Sequence, residues 1–413
     1  MIVCKIYLPN NSVTKVSQSQ GHLSDSLLLV KTSGEMYLYF GSQHGGDSSL
    51  WFPILLWSMG AVTVAVGIVV GFYLIRKYRE SKWGKCKSKR RMEGKIIIIT
   101  GANSGIGKET ARDLASRGAI VIMACRNRQA GLEALRDIRT STGDGDLIVM
   151  DLDLGDMDSI RTFASNFLEK FDKLDVLVNN AGVYIPPDER KKTKDGFEIH
   201  FGVNHLGHFL LTHLLLNRVE STPNSRIVIV SSSLYKYGKI DFDNLDAEKG
   251  WDTKKRNSLY SNSKLANILH GQELSKRLQG KGVGTFVLCP GFVYTGLLRH
   301  SAVRFNWAKK LFFLPIMFFF MRTSKQGAQT SIHCAVSEEL DGVEWGFLAN
   351  CKLEKLAEVA QDEATSSRLW EVSMDLVGEN GSDLLGEEGV LLDVESPPET
   401  DNGIDDDVVL IEK

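Results

Sequence analysis

Tyr260 and Lys264 stand four residues apart in the run Tyr260-Ser261-Asn262-Ser263-Lys264. On a helix, that offset puts phenol and ammonium on one face. A nearby ammonium favours the phenolate, so the spacing predicts a tyrosine titrating below its ordinary value of ~10. Such a phenol passes protons near neutral pH. Upstream lies Thr100-Gly101-Ala102-Asn103-Ser104-Gly105-Ile106-Gly107. Its glycines let a backbone approach a pyrophosphate, and the helix that follows turns its positive end toward that charge. Together the two motifs predict a proton-passing tyrosine beside a bound dinucleotide, the equipment for hydride transfer to or from a carbonyl or alcohol carbon. Hydride arrival builds negative charge on oxygen, and hydroxyl donors aimed there stabilise it without any metal.

These residues need a scaffold, and the chain from Lys95 alternates strand and helix. Ile96–Ile99 reads as a buried strand, with a helix from about Gly107 to Arg117 and another through about Ile138. Further strands are expected at 120–124, 147–150, 176–178, 226–230 and 284–288. Short apolar runs separated by amphipathic helices predict an α/β, doubly wound parallel sheet of Rossmann type. The nicotinamide type is set after the second strand, where an acid suits a ribose hydroxyl and an arginine a 2′-phosphate. Ala124-Cys125-Arg126-Asn127-Arg128 contains no acid, so Arg126 predicts NADP(H).

The rest of the 413 residues divides by composition. Residues 1–48 are polar, without periodicity, and expected to be disordered. Ser48 to Ile75 carries no charge, and 49–75 is long enough to span a bilayer. A basic linker follows over 76–94, from Arg76 and Lys77 to Arg90 and Arg91, which places the downstream domain on the cytosolic side. The oxidoreductase domain is expected over 95–375, and an acidic disordered tail over 376–413. Met59 offers a second start site. A net charge of −2 and the lack of a basic stripe interleaved with aromatics exclude a nucleic-acid binder. The six scattered cysteines form neither a zinc site nor a disulfide framework and suit a reducing compartment. His200, His205, His208 and His213 lack the spacing for three ligands on one face and read as packing and capping groups, so no metal is expected. Cys289 has no base beside it and is not read as a nucleophile. Leu311–Met321 is apolar, too short to span and interrupted by Pro315. It reads either as a buried helix or as a substrate lid touching the membrane.

Residues 93 to about 375 resemble the short-chain dehydrogenase/reductase superfamily, in its membrane-anchored retinol dehydrogenase-like branch. The matching pieces are the glycine motif at 100–107, Asn179-Asn180-Ala181-Gly182, Asn204-His205-Leu206-Gly207-His208-Phe209, Val230-Ser231-Ser232, Tyr260-x3-Lys264 and Pro290-Gly291. The resemblance implies roles for each. Tyr260 is the acid in reduction and the base in oxidation, and Lys264 lowers its pKa and holds the nicotinamide ribose. Ser232 bonds the substrate oxygen, although Ser231 and Ser233 flank it. Asn204 supports a water chain to the lysine. Gly101, Asn103, Ser104, Gly105, Ile106 and Gly107 bind cofactor, as do Asn180, Ala181 and Gly182. Asp153 contacts adenine, with Asp151 on the same face. Pro290, Gly291, Val293 and Thr295 hold the carboxamide. The implied function is NADP(H)-dependent interconversion of a lipophilic alcohol and its aldehyde or ketone, retinol and retinal first. Reduction of steroids or lipid aldehydes is the alternative within enzymes, and an idle nucleotide-binding scaffold the alternative outside them. The expected partners are a lipophilic substrate, the membrane through 50–75 and through 311–321 as a lid, and a second copy paired through the helices around Asn204 and Tyr260. The expected membrane is that of the endoplasmic reticulum.

Overall fold

The computed structural model describes residues 3–5, 25–32, 35–42, 51–143, 145–186, 189–250, 259–293 and 319–379, with side chains from Leu56 onward. The chain divides into two compact units, Met1–Ile75 and Arg76–Lys413. In the first, β1 (Val3–Lys5), β2 (Asp25–Thr32) and β3 (Glu35–Ser42) make an antiparallel sheet ordered β1-β3-β2. Over 1–48, where the sequence reading expects a polar, disordered segment, the described residues are these three strands. Leu27–Val30 and Tyr37–Phe40 are strand-forming runs, and averaging over the Ser, Gly and Gln around them hides the signal. Helix α1 (Trp51–Ser81) follows. Its stretch Leu56–Ser81, 26 residues, is long and apolar enough to cross a membrane. Val62, Ile68 and Leu74 are among its exposed apolar side chains.

The second unit is built on eight strands. β4 (Ile96–Thr100), β5 (Ile120–Cys125), β6 (Asp146–Asp151), β7 (Val176–Asn179), β8 (Arg226–Val230), β9 (Gly284–Cys289), β10 (Trp345–Ala349) and β11 (Lys352–Leu353) are ordered β11-β10-β9-β8-β7-β4-β5-β6. All pairs are parallel except β10 with β11. The chain starts at β4, runs outward to β6, then returns to β7, so strand order reverses between β4 and β7. Ligands of open α/β sheets bind at such a crevice, beyond the strands' carboxyl ends.

Because side chains alternate along a strand, the apolar runs feed two cores. Ile96, Ile98, Ile122, Leu177, Ile229 and Val287 enter one. There they meet α4 (Met157–Lys170), α5 (Gly207–Glu220), α6 (Leu259–Arg277) and α8 (Glu363–Val377). Ile97, Ile99, Val121, Val178, Val228 and Leu288 enter the other, against α2 (Gly105–Ser116), α3 (Arg128–Thr142) and α7 (Gln329–Val336).

β10 and β11 extend the sheet beyond the six strands expected from sequence. Trp345-Gly346-Phe347-Leu348-Ala349 has no β-branched residue and holds a glycine. Its hairpin turn uses Asn350 (φ 54) and Cys351 (φ 56), both left-handed, as a two-residue hairpin turn with primed geometry requires.

Helix α6, which bears Tyr260 and Lys264, lies close on β9 because Gly271 leaves room. A Cβ there would sit 2.3 Å from Val287 Cγ2. Gly271→Ala is expected to destabilise the unit by about 1–3 kcal/mol, read as a lower urea midpoint with unchanged slope. An unshifted midpoint would show that α6 has slack.

Candidate functional site

The groove beyond β4 and β7 begins at the glycine turn. Gly101 (φ 66) and Gly105 (φ 59) are left-handed. A Cβ on Gly107 would meet Gly101 O at 2.4 Å and Asn180 Nδ2 at 2.5 Å, so only glycine closes the turn onto the β7 loop. Ser104 precedes α2 but makes no side-chain cap hydrogen bond. The first-turn amides of α2 therefore face the groove without a cap, which suits a diphosphate.

Asn103, Ser104, Ile106, Asn180, Ala181 and Gly182 line the same groove. At its far end stand Val230, Ser231, Tyr260, Lys264 and Pro290. The residues present thus fit a dinucleotide: a glycine cradle where a side chain would collide, an uncapped helix start, and a lysine with a tyrosine at the nicotinamide end.

Tyr260 (7 % exposed), Lys264 (3 %) and Asn204 (0 %) are buried together. Lys264 Nζ donates to Val230 O (3.0 Å) and lies 5.8 Å from the centre of the Tyr260 ring. Ser232 Oγ accepts from Leu234 N (3.3 Å) and stands near enough to the Tyr260 hydroxyl to draw its pKa down. Ser231 instead donates to Lys264 O (2.7 Å), and Ser233 is exposed. Asn204 sits in a π-helical turn, Phe201–Leu206, that leads into α5. Its Oδ1 accepts from Val183 N (2.7 Å) and its Nδ2 donates to Ser263 Oγ (3.0 Å).

The electrostatics correct one expectation. Burial pushes the Tyr260 phenol up to about 12, with Ser232 pulling the other way. Burial also brings the Lys264 ammonium down to about 8. The sequence spacing predicted a lowered tyrosine. Removal from water dominates at the phenol, and the charge of the neighbouring ammonium is disfavoured by the same burial. Cys289, also buried here, is pushed up to about 12 and is no thiolate.

Arg126 lies exposed just past β5. Asp153 is half-buried and its Oδ1 accepts from Gly155 N (2.9 Å), while Asp151 pairs with Arg128 (3.3 Å). Gly291 (φ 86) is packed against the Arg322 guanidinium. Val293 packs where a Cβ on Gly327 would lie 2.6 Å away, and it bridges to Arg322. Thr295 lies outside the described residues, as does 311–318 of the apolar segment expected over 311–321.

Several contributors escaped the sequence reading. Thr100 Oγ1 accepts from the Asn180 and Ala181 amides (2.9 Å each) and contacts His208 Nε2 (2.9 Å). His208 Nδ1 donates to Asn204 O (3.1 Å), and burial holds this histidine neutral, down to about 3. This chain of bonds joins the nucleotide wall to Asn204. Tyr184 and His200 meet the Tyr260 ring edge-on at 5.4 and 6.1 Å. His200 Nδ1 bonds Glu198 (2.6 Å) and its Nε2 accepts from Ile185 N (2.9 Å). Only an alternation of polar residues over 198–200 hinted at this support.

On its other side Tyr260 borders a second cavity of about 420 Å³, within the size range of small-molecule sites. Tyr184, Ile185, Pro186 and Leu259 line it, and Lys192–Glu248 (2.6 Å) and Lys191–Glu189 (3.2 Å) pair at its polar side.

A family model for short chain dehydrogenases matches residues 95–303. The chain belongs to the short-chain dehydrogenase family. Human retinol dehydrogenase 11 is 47% identical over 330 residues, covering 80% of this chain and 98% of the relative. Human retinol dehydrogenase 12 is 44% identical over 324 residues, covering 76% and 98%. These identities place this short-chain dehydrogenase in the retinol dehydrogenase-like branch. Among solved structures, a putative uncharacterized protein from Mycobacterium paratuberculosis is 31% identical with TM-score 0.56, covering 71% of this chain and 98% of that one. Levodione reductase, at 16% identity and TM-score 0.51, shares the fold, covering 67% and 99%. As a member of this family the protein is an oxidoreductase.

The lowered Lys264 value has a consequence for stability. Between pH 8 and about 10.4, the ordinary lysine value, the unfolded chain binds the extra proton, so this group's contribution to folding rises with pH. Denaturation at pH 8, 9 and 10 is expected to show wild type gaining on Lys264→Met across that window. A constant difference would mean the ammonium is not desolvated.

Proposed function

We propose that this short-chain dehydrogenase is a membrane-anchored, NADP(H)-dependent oxidoreductase that interconverts a lipophilic alcohol with its aldehyde or ketone, retinol and retinal being the first pair to test. One observation carries the reading: Tyr260 borders both the nucleotide groove and the 420 Å³ cavity. A substrate oxygen in that cavity reaches the phenol while its carbon faces the groove. Further support comes from the relatives named retinol dehydrogenase 11 and 12, the exposed Arg126 where a 2′-phosphate would lie, and a 26-residue apolar helix with basic residues after it.

The dinucleotide, when bound, supplies or takes the hydride. In reduction, Tyr260 and Ser232 direct their hydroxyls at the carbonyl oxygen, where negative charge gathers. Tyr260 then gives its proton to that oxygen, and burial holds it protonated beforehand. Lys264, brought down to about 8, sheds a proton readily near neutral pH and replenishes the phenol, with Asn204 ordering the path to bulk water. In oxidation the same proton moves the other way.

The test is a panel of retinal, long-chain aldehydes and steroid ketones with NADPH and NADH. Tyr260→Phe is expected to lower kcat by ~10²–10⁴-fold with nucleotide binding retained. Arg126→Asp is expected to shift preference from NADPH toward NADH. No turnover by wild type across the panel would leave the idle scaffold standing, and an NADH preference in wild type would remove Arg126 from its role.

A further inference from the structure

From Arg76, in the last turns of α1, into the extended segment that follows, the residues sort by type. Arg76, Arg79 and Arg90 turn inward, while Arg91 is exposed and pairs with Glu93. Arg76 donates to Phe319 O (3.0 Å) and Met321 O (2.8 Å) and pairs with Glu80. The Arg79 guanidinium lies 4.4 Å over the Phe320 ring, and Arg90 pairs with Asp341. The lysines Lys82, Lys85, Lys87 and Lys89 are all exposed. Among the described residues, Lys85, Lys87 and Lys89 enter no ion pair.

Alternation sets this pattern. Cys86 N donates to Gln329 Oε1 (3.2 Å) and Ser88 Oγ to Val336 O (3.4 Å), so the even positions are tied to α7. Arg117 donates to Ser88 O (3.1 Å) and Arg90 O (2.9 Å), fixing the backbone. At ~3.3 Å per residue, successive lysines then stand ~7 Å apart on the outward side. Lys82 Nζ lies 5.3 Å from the ring of Tyr78 (66 % exposed), and Phe320 (48 %) sits under the Arg79 guanidinium. A row of exposed lysines directly after an apolar helix, the first of them beside an exposed tyrosine, suits a headgroup layer.

We propose that Lys82–Lys89 is a rigid lipid-docking strap whose lysines contact anionic phospholipid headgroups of the bilayer that holds the apolar helix. It rests on the membrane reading above and adds a lipid preference to it. Since the strap is bonded to α7 and, through Arg76, to the segment leading into Arg322, headgroup contact would seat this face of the catalytic unit on the bilayer.

The test places the full chain in nanodiscs of phosphatidylcholine alone or with about one-third phosphatidylserine, and reads lysine acetylation by mass spectrometry. Lys85, Lys87 and Lys89 are expected to label about threefold or more slowly in the anionic discs. Protection should fade at ~0.5 M salt, with Lys170 on α4 unaffected. In K85Q/K87Q/K89Q, protection of Lys82 should shrink. Equal labelling in both discs, with the chain co-eluting with both, overturns the strap alone. Equal protection in both discs points instead to an acidic protein segment and also overturns it. Co-elution with neither disc overturns anchor and strap together, whereas co-elution with anionic discs alone supports the strap and overturns the anchor.

Discussion

Exclusion of water around Tyr260 and Lys264 is the constraint on which the site depends. Both side chains are buried where α6 crosses the ends of β8 and β9, and the ammonium donates to the Val230 carbonyl. In that setting the charged form of each group is disfavoured, so the phenol moves up and the ammonium down. The two therefore part from nearly equal ordinary values, the phenol to about 12 and the ammonium to about 8. Proton transfer from the ammonium to a phenolate is then downhill, so the lysine restores the phenol once its proton has been given up.

Everything that holds this pair is backbone geometry and close packing. Gly271 brings α6 onto β9, and Ser231 fastens the carbonyl of Lys264 to the end of β8. The π-helical turn at Phe201–Leu206 presents Asn204 to the Val183 backbone and to Ser263. Insertions of this kind re-aim side chains and recur at functional sites. Thr100 completes the frame by gathering the amides of Asn180 and Ala181 beside the glycine turn.

Much of this was legible from residues alone, for physical reasons that differ by element. The runs of β4, β5 and β8 are continuous and β-branched, so a parallel sheet followed directly, and glycine spacing announced the nucleotide turn. The Tyr260–Lys264 offset gave their shared face. It could not give the sign of the tyrosine shift, because sequence spacing reports a neighbour's charge and says nothing of how much water surrounds it. β10 was hidden by its glycine and its lack of branched residues. Thr100 and His208 were invisible for another reason: their role arises from contact between chain segments 108 residues apart. In the first unit, short strands were diluted by polar surroundings.

The position of Trp83 carries a practical consequence. The guanidinium groups of Arg76 (5.0 Å) and Arg322 (5.1 Å) both lie over its ring, and Arg322 in turn holds Pro290 O (3.1 Å) at the mouth of the groove. Gly84 beside it abuts the Asn350 backbone so closely that no side chain fits there. Hydropathy falls away at Ile75, which tempts an engineer seeking a soluble enzyme to discard everything up to the first predicted strand. Cutting there would strip a brace from the wall of the groove. The safe place to sever the chain is ahead of Arg76.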